Sequence, residues 1–212
     1  MNSHSRRNDG HDGMKIIVDF IYRIITGPEH RRRIATPLFA GFFAFLIFLI
    51  IFLARKLDAF LHLAGPLSYP VNYLLSLPLF IAGAFLWIWS VLQFIRARGT
   101  PVPVNPPPKL VTEGPYAYIR NPMLSGIILM LFGVGFFLES PSLVFFFTPL
   151  FVAFTCLEFK LIEEPELEKR LGDAYREYRR KTPMFIPKLS RLSQQVGRDA
   201  QGDSLARKGE KG

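Results

Sequence analysis

Apolar positions in this chain gather into long blocks. Thr36 to Ala54 holds no charge at all, and comparable runs cover 70–95, 123–138 and 142–161. A bilayer core of ~30 Å takes ~20 helical residues at ~1.5 Å each. The pattern therefore predicts an all-α integral membrane protein with about four transmembrane helices. The third block is the shortest. It runs from Met123 to Leu138 through Gly126, Gly133 and Gly135, and would tilt little, locally thin the bilayer, or form a helical hairpin with the fourth, with Glu139-Ser140-Pro141 as its tight turn. Ahead of the first block, Ile17, Phe20, Ile21, Ile24 and Ile25 recur at helical spacing among Lys15, Asp19 and Arg23. An N-terminal helix lying in the membrane interface fits that pattern, as does an extra helical turn packed on the bundle. Beyond the fourth block, 166–181 reads as a cytoplasmic amphipathic helix with Leu167, Leu171 and Tyr178 along one face.

Four segments follow from this division. Residues 1–13 and 188–212 are polar and expected to be disordered. Residues 14–95 hold the interfacial helix and the first two spans, and 96–187 hold a polar loop, the last two spans and the amphipathic helix. The first block begins too far along the chain, and runs too long, to be a cleaved signal peptide.

Charge sets the orientation. The chain carries 26 Lys and Arg against 17 Asp and Glu, a net charge of +9. All of the basic residues except Arg55 and Lys56 fall on one side of a four-span arrangement. Positive charge accumulates on the cytoplasmic side, so both termini are expected there, and the basic balance reads as membrane charge rather than nucleic-acid binding. One cysteine and four scattered histidines offer neither a disulfide framework nor metal-ligand spacing. No Walker or Rossmann glycine loop lies between a strand and a helix.

Candidate chemistry lies in two polar stretches. The first follows the second span: Pro101, Pro103 and Pro106 to Pro108 precede Lys109-Leu110-Val111, and then comes Glu113-Gly114-Pro115-Tyr116-Ala117-Tyr118-Ile119-Arg120-Asn121-Pro122. The prolines predict an extended run over the cytoplasmic face, Gly-Pro a turn, and Asn-Pro an extended residue just before a helix start. A helix start leaves N–H groups unpaired and suits a carboxylate or carbonyl, which Tyr116, Tyr118 and Arg120 would frame. The same residues would also serve as headgroup anchors. The second stretch closes the fourth span with Glu158, Lys160, Glu163, Glu164 and Glu166. Carboxylates at that depth are costly unless they meet protein, water or a cation. Either a cationic ligand or neighbouring Lys160 and Arg170 would offset the cost.

Taken in order, Leu110 to Tyr116, Tyr118 to Met123 with Gly126, then Glu163-Glu164, Gly172, Tyr175, Tyr178 and Pro183 resemble the isoprenylcysteine carboxyl methyltransferase family over about residues 96–187. The related phospholipid methyltransferases share a similar membrane-embedded arrangement. Arg120-Asn121-Pro122 stands where eukaryotic members have Arg-His-Pro, and so looks like the bacterial branch and a prokaryotic inner membrane. The resemblance implies a methyltransferase that takes S-adenosylmethionine and methylates a lipophilic or small acceptor bearing a carboxyl, amine or thiol. By family position, Pro108, Lys109, Leu110 and Val111 would flank the nucleoside, Tyr116 would form an aromatic wall, and Asn121, Pro122, Met123 and Leu124 would form the strip at the helix start. Glu163 would be the carboxylate that meets the cofactor. Arg120, Glu164 and Tyr116 are the candidates for catalysis, the last two as a base should the acceptor need one. An arginine that contacts substrate in the eukaryotic enzymes aligns with Phe159 here, which leaves the acceptor open. The rival enzyme class is a membrane sterol or enone reductase using NADPH, which shares a similar motif pattern; the rival outside enzymes is a non-catalytic membrane partner. No metal is expected.

Overall fold

The computed structural model describes residues 26–100 and 106–186, together with the single positions 16, 19, 22 and 23. Most of the predicted interfacial helix, both chain termini and residues 101–105 lie outside the described residues. Among the described residues the secondary structure is entirely helical. Helix α1 spans Glu29–Leu61, α2 Tyr69–Arg96 and α3 Pro122–Phe137, and a short 3-10 turn occupies Gly114–Ala117. A long helix then runs from Leu143 to Leu171. It comprises a π-helical turn (Leu143–Phe147), α4 (Thr148–Glu158), a second π-helical turn (Phe159–Glu163) and α5 (Glu164–Leu171). Helix α6 (Asp173–Lys181) follows.

Three helices are long and apolar enough to cross a membrane: Ile34–Leu61, Tyr69–Arg96 and Leu143–Leu171. Their large side chains point outward, with Phe42, Phe48, Leu74, Phe85, Phe145 and Phe154 all exposed, as expected for surfaces solvated by lipid tails. Helix α3 is apolar but has only 16 residues, about 24 Å at ~1.5 Å per residue, short of a ~30 Å hydrocarbon core.

A hairpin packed on the following helix is not the main arrangement of α3. Its most extensive partner is α2 rather than the helix that follows it. The cause is its glycines. A Cβ on Gly126 would stand 2.7 Å from the Gly83 carbonyl oxygen, and one on Gly133 2.9 Å from the Phe80 backbone nitrogen. Without side chains at these positions the two backbones approach to direct contact, which maximises dispersion where no hydrophobic effect drives association. Gly135 faces Val144 instead, where a Cβ would lie 2.7 Å from a methyl group. These three glycines therefore pack helices within one chain.

Helix α1 meets the rest chiefly at one end, where polar groups of the α3–α4 turn are clamped. Arg55 donates to the Leu138 carbonyl at 2.8 Å, and buried Asp58 accepts from the Ser142 N–H at 2.9 Å and from the Ser140 hydroxyl. Ser140 in turn caps the new helix by accepting from the Leu143 N–H at 3.2 Å. Glu139 takes a positive φ of 52° in the tight turn expected at Glu139-Ser140-Pro141.

Both π turns precede a proline. Pro149 and Pro165 lack an N–H, and a proline ring clashes with the carbonyl four residues back, here Phe145 and Leu161. Each of those carbonyls sits inside a π turn, where the widened helix relieves the clash. The second of these turns carries Glu163.

Candidate functional site

The loop between α2 and α3 and the helices after α4 converge at the end of the bundle opposite the Asp58 clamp. Asn121 caps α3, its side-chain oxygen accepting from the Leu124 N–H at 3.3 Å, and Pro122 is the first helical residue. This uses one of the N–H groups that the bare sequence left free for a ligand. With Pro122 lacking an N–H and Ser125 bonded to the Asn121 carbonyl, the Met123 N–H is the one left without a partner among the described residues at this helix start.

Backbone pairing fixes the preceding residues. The N–H groups of Arg120 and Asn121 donate to the carbonyls of Pro183 and Met184 at 2.8 and 3.2 Å. The stretch after α6 thus returns to the start of α3, a long-range tie with no local signature. Arg170 joins Glu166 at 2.9 Å and donates to the Pro107 carbonyl at 3.0 Å, holding the proline-rich strip against α5. Within that strip Pro108 and Lys109 are exposed, while Leu110 and Val111 are half-buried.

Tyr116 is buried. Its ring stacks on Phe94 of α2 with centroids 5.2 Å apart, and its carbonyl accepts a 2.7 Å hydrogen bond from the Tyr178 hydroxyl of α6. Gly114 starts this turn at a φ of +58°, against the Gln93 side chain, a conformation and a space that suit glycine. Burial pushes the Tyr116 phenol far above its ordinary pKa, with Glu163 and Tyr178 adding to the effect. Burial likewise raises Tyr178, and it lifts Tyr175 to about 12 with a contribution from Glu164, against the lowering effect of Arg120. All three phenols are neutral hydrogen-bonding groups near neutral pH.

Arg120 is the centre of an ion-pair network that draws in residues distant in sequence. It pairs with Glu164, lies within 3.3 Å of the Tyr175 hydroxyl, and stands 5.6 Å over the Phe159 ring. Both partners of the Arg120–Glu164 pair have side chains 11% exposed. Glu164 is also approached by Arg179 at 3.4 Å, and Arg179 pairs with Glu168 as well. The Arg120 Nε is buried without a hydrogen-bond partner among the described residues.

Glu163 differs from its neighbour. It makes no hydrogen bond or ion pair with the described residues, although Glu158, Glu164, Glu166 and Arg170 form its electrostatic surroundings and Tyr116 lies within reach of its charge. The expected amphipathic helix is in fact two. Gly172, at φ 57° and ψ −132°, breaks 166–181 into α5 and α6, a conformation open essentially to glycine alone. The break lets α6 turn Tyr175 and Tyr178 inward, both buried.

The structure thus brings together Tyr116, Arg120, Asn121 to Leu124, Glu163 and Glu164 around the start of α3 and the second π turn. The sequence names Arg170 as a counter-charge to the glutamates and Tyr175 within the family pattern, but does not point to Phe94 or Arg179 as part of this site. Only the regular spacing of basic residues on α6 hinted at the last. An open pocket of 310 Å³, lined by Leu110, Thr112, Ala117, Glu177, Tyr178 and Lys181 among others, reaches the proline-rich strip at Leu110 and includes none of the acidic groups at 163–164. Among the described residues no group of His, Cys, Asp and Glu is arranged to hold a metal ion.

The family model for phospholipid methyltransferases matches residues 71–174, from the start of α2 to the start of α6. Over these residues, just under half of the chain, the protein is similar to that family. The family is one of membrane methyltransferases, and its match spans the loop, the start of α3 and the paired glutamates that the fold brings together. Comparison with curated proteins and with solved structures gave no match.

Proposed function

We propose that this protein is an S-adenosylmethionine-dependent membrane methyltransferase acting on a lipophilic or small acceptor that enters from the bilayer. The observation that carries the reading is Glu163, a carboxylate without a hydrogen bond or ion pair among the described residues and within electrostatic reach of buried Tyr116, in a chain of which residues 71–174 match a methyltransferase family. That pairing fits a ligand bearing both an ammonium and a sulfonium charge, since a buried carboxylate needs a cation and an aromatic wall favours one. In this reading Glu163 holds the amino-acid head of the cofactor, the N–H of Met123 at the start of α3 meets its carboxylate, and Pro108 to Val111 flank its nucleoside. Asn121, Pro122 and Leu124 shape the backbone at that helix start. Tyr116 is the aromatic wall. Arg120 and Glu164 neutralise each other and tie α3 to α5, so that the groups facing the ligand are held in place.

When bound, the cofactor supplies an electrophilic methyl group for in-line displacement by the acceptor. The protein's task is then positioning and exclusion of water, which the packed Tyr116–Tyr178 and Arg120–Tyr175 contacts serve. Helix α3 acts as a fourth span in a locally thinned bilayer, and both termini face the cytoplasm of a prokaryotic cell, as the distribution of lysine and arginine favours.

Calorimetric titration of S-adenosylhomocysteine into detergent-purified protein tests this. Binding in the wild type that is lost in Glu163→Gln is expected. Absence of binding to folded wild type, or binding of a nicotinamide dinucleotide in its place, refutes it.

A further inference from the structure

Helix α1 is attached to the rest of the chain at both ends, and the two attachments differ in kind. At the end away from the candidate site, the buried Asp58 carboxylate accepts from the Ser140 hydroxyl and, at 2.9 Å, from the Ser142 N–H. Stripping these bonds from a buried carboxylate would leave its charge uncompensated, so this end stays closed. At the other end, the chain ahead of α1 reaches α5. Lys169 of α5 donates to the Asp19 carboxylate at 2.6 Å, and its ammonium stands 4.5 Å from the centre of the Tyr22 ring. Asp19 and Lys169 are 150 positions apart. Their side chains are 56% and 44% exposed, so water replaces the pair at little cost.

One short turn couples this contact to α1. The Tyr22 carbonyl accepts from the Thr26 N–H at 2.9 Å and from the Thr26 hydroxyl at 2.7 Å, and α1 starts just after Pro28. Between its two attachments α1 presents Phe39, Phe42, Phe45, Phe48 and Phe52 outward. Phe43 reaches Phe151 of α4, a buried ring whose centroid is 6.4 Å away. The glycine of α1 makes no close seam of the α2–α3 kind, since nothing lies within 4 Å of a Cβ added to Gly41.

We propose that the contact of Lys169 with Asp19 and Tyr22 is a releasable latch on a gate formed by α1, which pivots at Asp58 and opens the side of α4 at Phe151 to the bilayer. At ~1.5 Å per residue, a tilt of about 10° about Asp58 swings the start of α1 by roughly 8 Å and moves Phe43 by roughly 4 Å. That parts the two rings by about one carbon–carbon contact distance and lets a lipid chain in between them. An exposed ion pair and a cation–π contact are each weak, and together they lower the open-to-closed ratio on the order of 10-fold. The gate depends on the fold alone, so it stands or falls apart from the cofactor reading.

Distances between pairs of nitroxide labels, measured by pulsed electron resonance on the full chain in lipid nanodiscs, test this, with Cys156→Ser removing the native thiol. One pair, at exposed Ile16 and Ala174, reports the latch, and the other, at exposed Phe60 and Leu74, reports the pivot. With the latch intact the first pair should show one dominant short distance. Lys169→Glu and Asp19→Lys should each raise, on the order of 10-fold, a second population roughly 5–10 Å longer, and the two substitutions together should reverse part of that rise. Raising NaCl from about 50 to about 500 mM should favour the longer distance when the latch is unsubstituted, because an exposed pair is screened. The second pair should not move. A single distance in every protein and at every salt concentration, or no reversal in the double substitution, would overturn the latch. Movement of both label pairs together would overturn the pivot at Asp58.

Discussion

Substituting Gly126 with alanine should drive α2 and α3 apart. The added Cβ would lie 2.7 Å from the Gly83 carbonyl oxygen and 2.9 Å from the Trp87 backbone nitrogen. Both are backbone atoms, so no side chain can rotate away, and the helices must separate by several tenths of an ångström along a seam that also includes Gly133. Overpacking of this kind costs ~1–3 kcal/mol. For a chain of this size that corresponds to a fall of roughly 3–10 °C in Tm. Alanine for Gly41 is the control, because nothing lies within 4 Å of its added Cβ and helix propensity alone favours alanine by about 1 kcal/mol. Thermal unfolding of both variants in one detergent makes the measurement. The separation should reach the site as well, since α2 carries Phe94 beneath Tyr116 and α3 begins at the Asn121 cap, so weaker S-adenosylhomocysteine binding should accompany the lower Tm. A Gly126→Ala protein that melts with or above Gly41→Ala would refute the close-packed seam.

Two further predictions concern charge. Replacing Arg120 with methionine strands the Glu164 carboxylate, only 11% exposed, with Arg179 as its remaining partner; a loss of about 3 kcal/mol is expected, and Arg120→Met with Glu164→Gln together should be less unstable than Arg120→Met alone when compared by thermal unfolding. At alkaline pH, burial raises Tyr116, Tyr175 and Tyr178 above the ordinary tyrosine value, Tyr175 to about 12. Because the folded pKa exceeds the unfolded one, the stabilisation is complete below the unfolded pKa of ~10 and is lost as pH rises through the folded value. Tm should therefore fall between about pH 10 and 12, less steeply in Tyr175→Phe, and an equal slope in the two proteins would count against the buried, protonated phenol.

By itself the sequence determined the elements and their chemistry. Uninterrupted apolar blocks have one low-energy form in lipid, a helix that bonds its own backbone, so 36–54, 70–95 and the run after Pro141 were legible from composition. Gly-Pro and Asn-Pro act within a few residues, and the turn at Gly114 and the helix start at Pro122 follow from them. The ordered motifs from Leu110 to Pro183 likewise pointed to the family that the match over 71–174 supports. Tertiary structure decided which elements meet. Glycines in α3 suit a neighbour on either side, and only the fit of both backbones selects α2. Arg120 and Glu164 are 44 positions apart, and Arg120 and Pro183 further still, distances over which no local propensity acts. Gly172 was visible, but whether a glycine continues a helix or breaks it depends on what the next turn can bury, here Tyr175 and Tyr178. Glu158 precedes and Glu163 ends the second π turn, where the widened helix relieves the strain at Pro165.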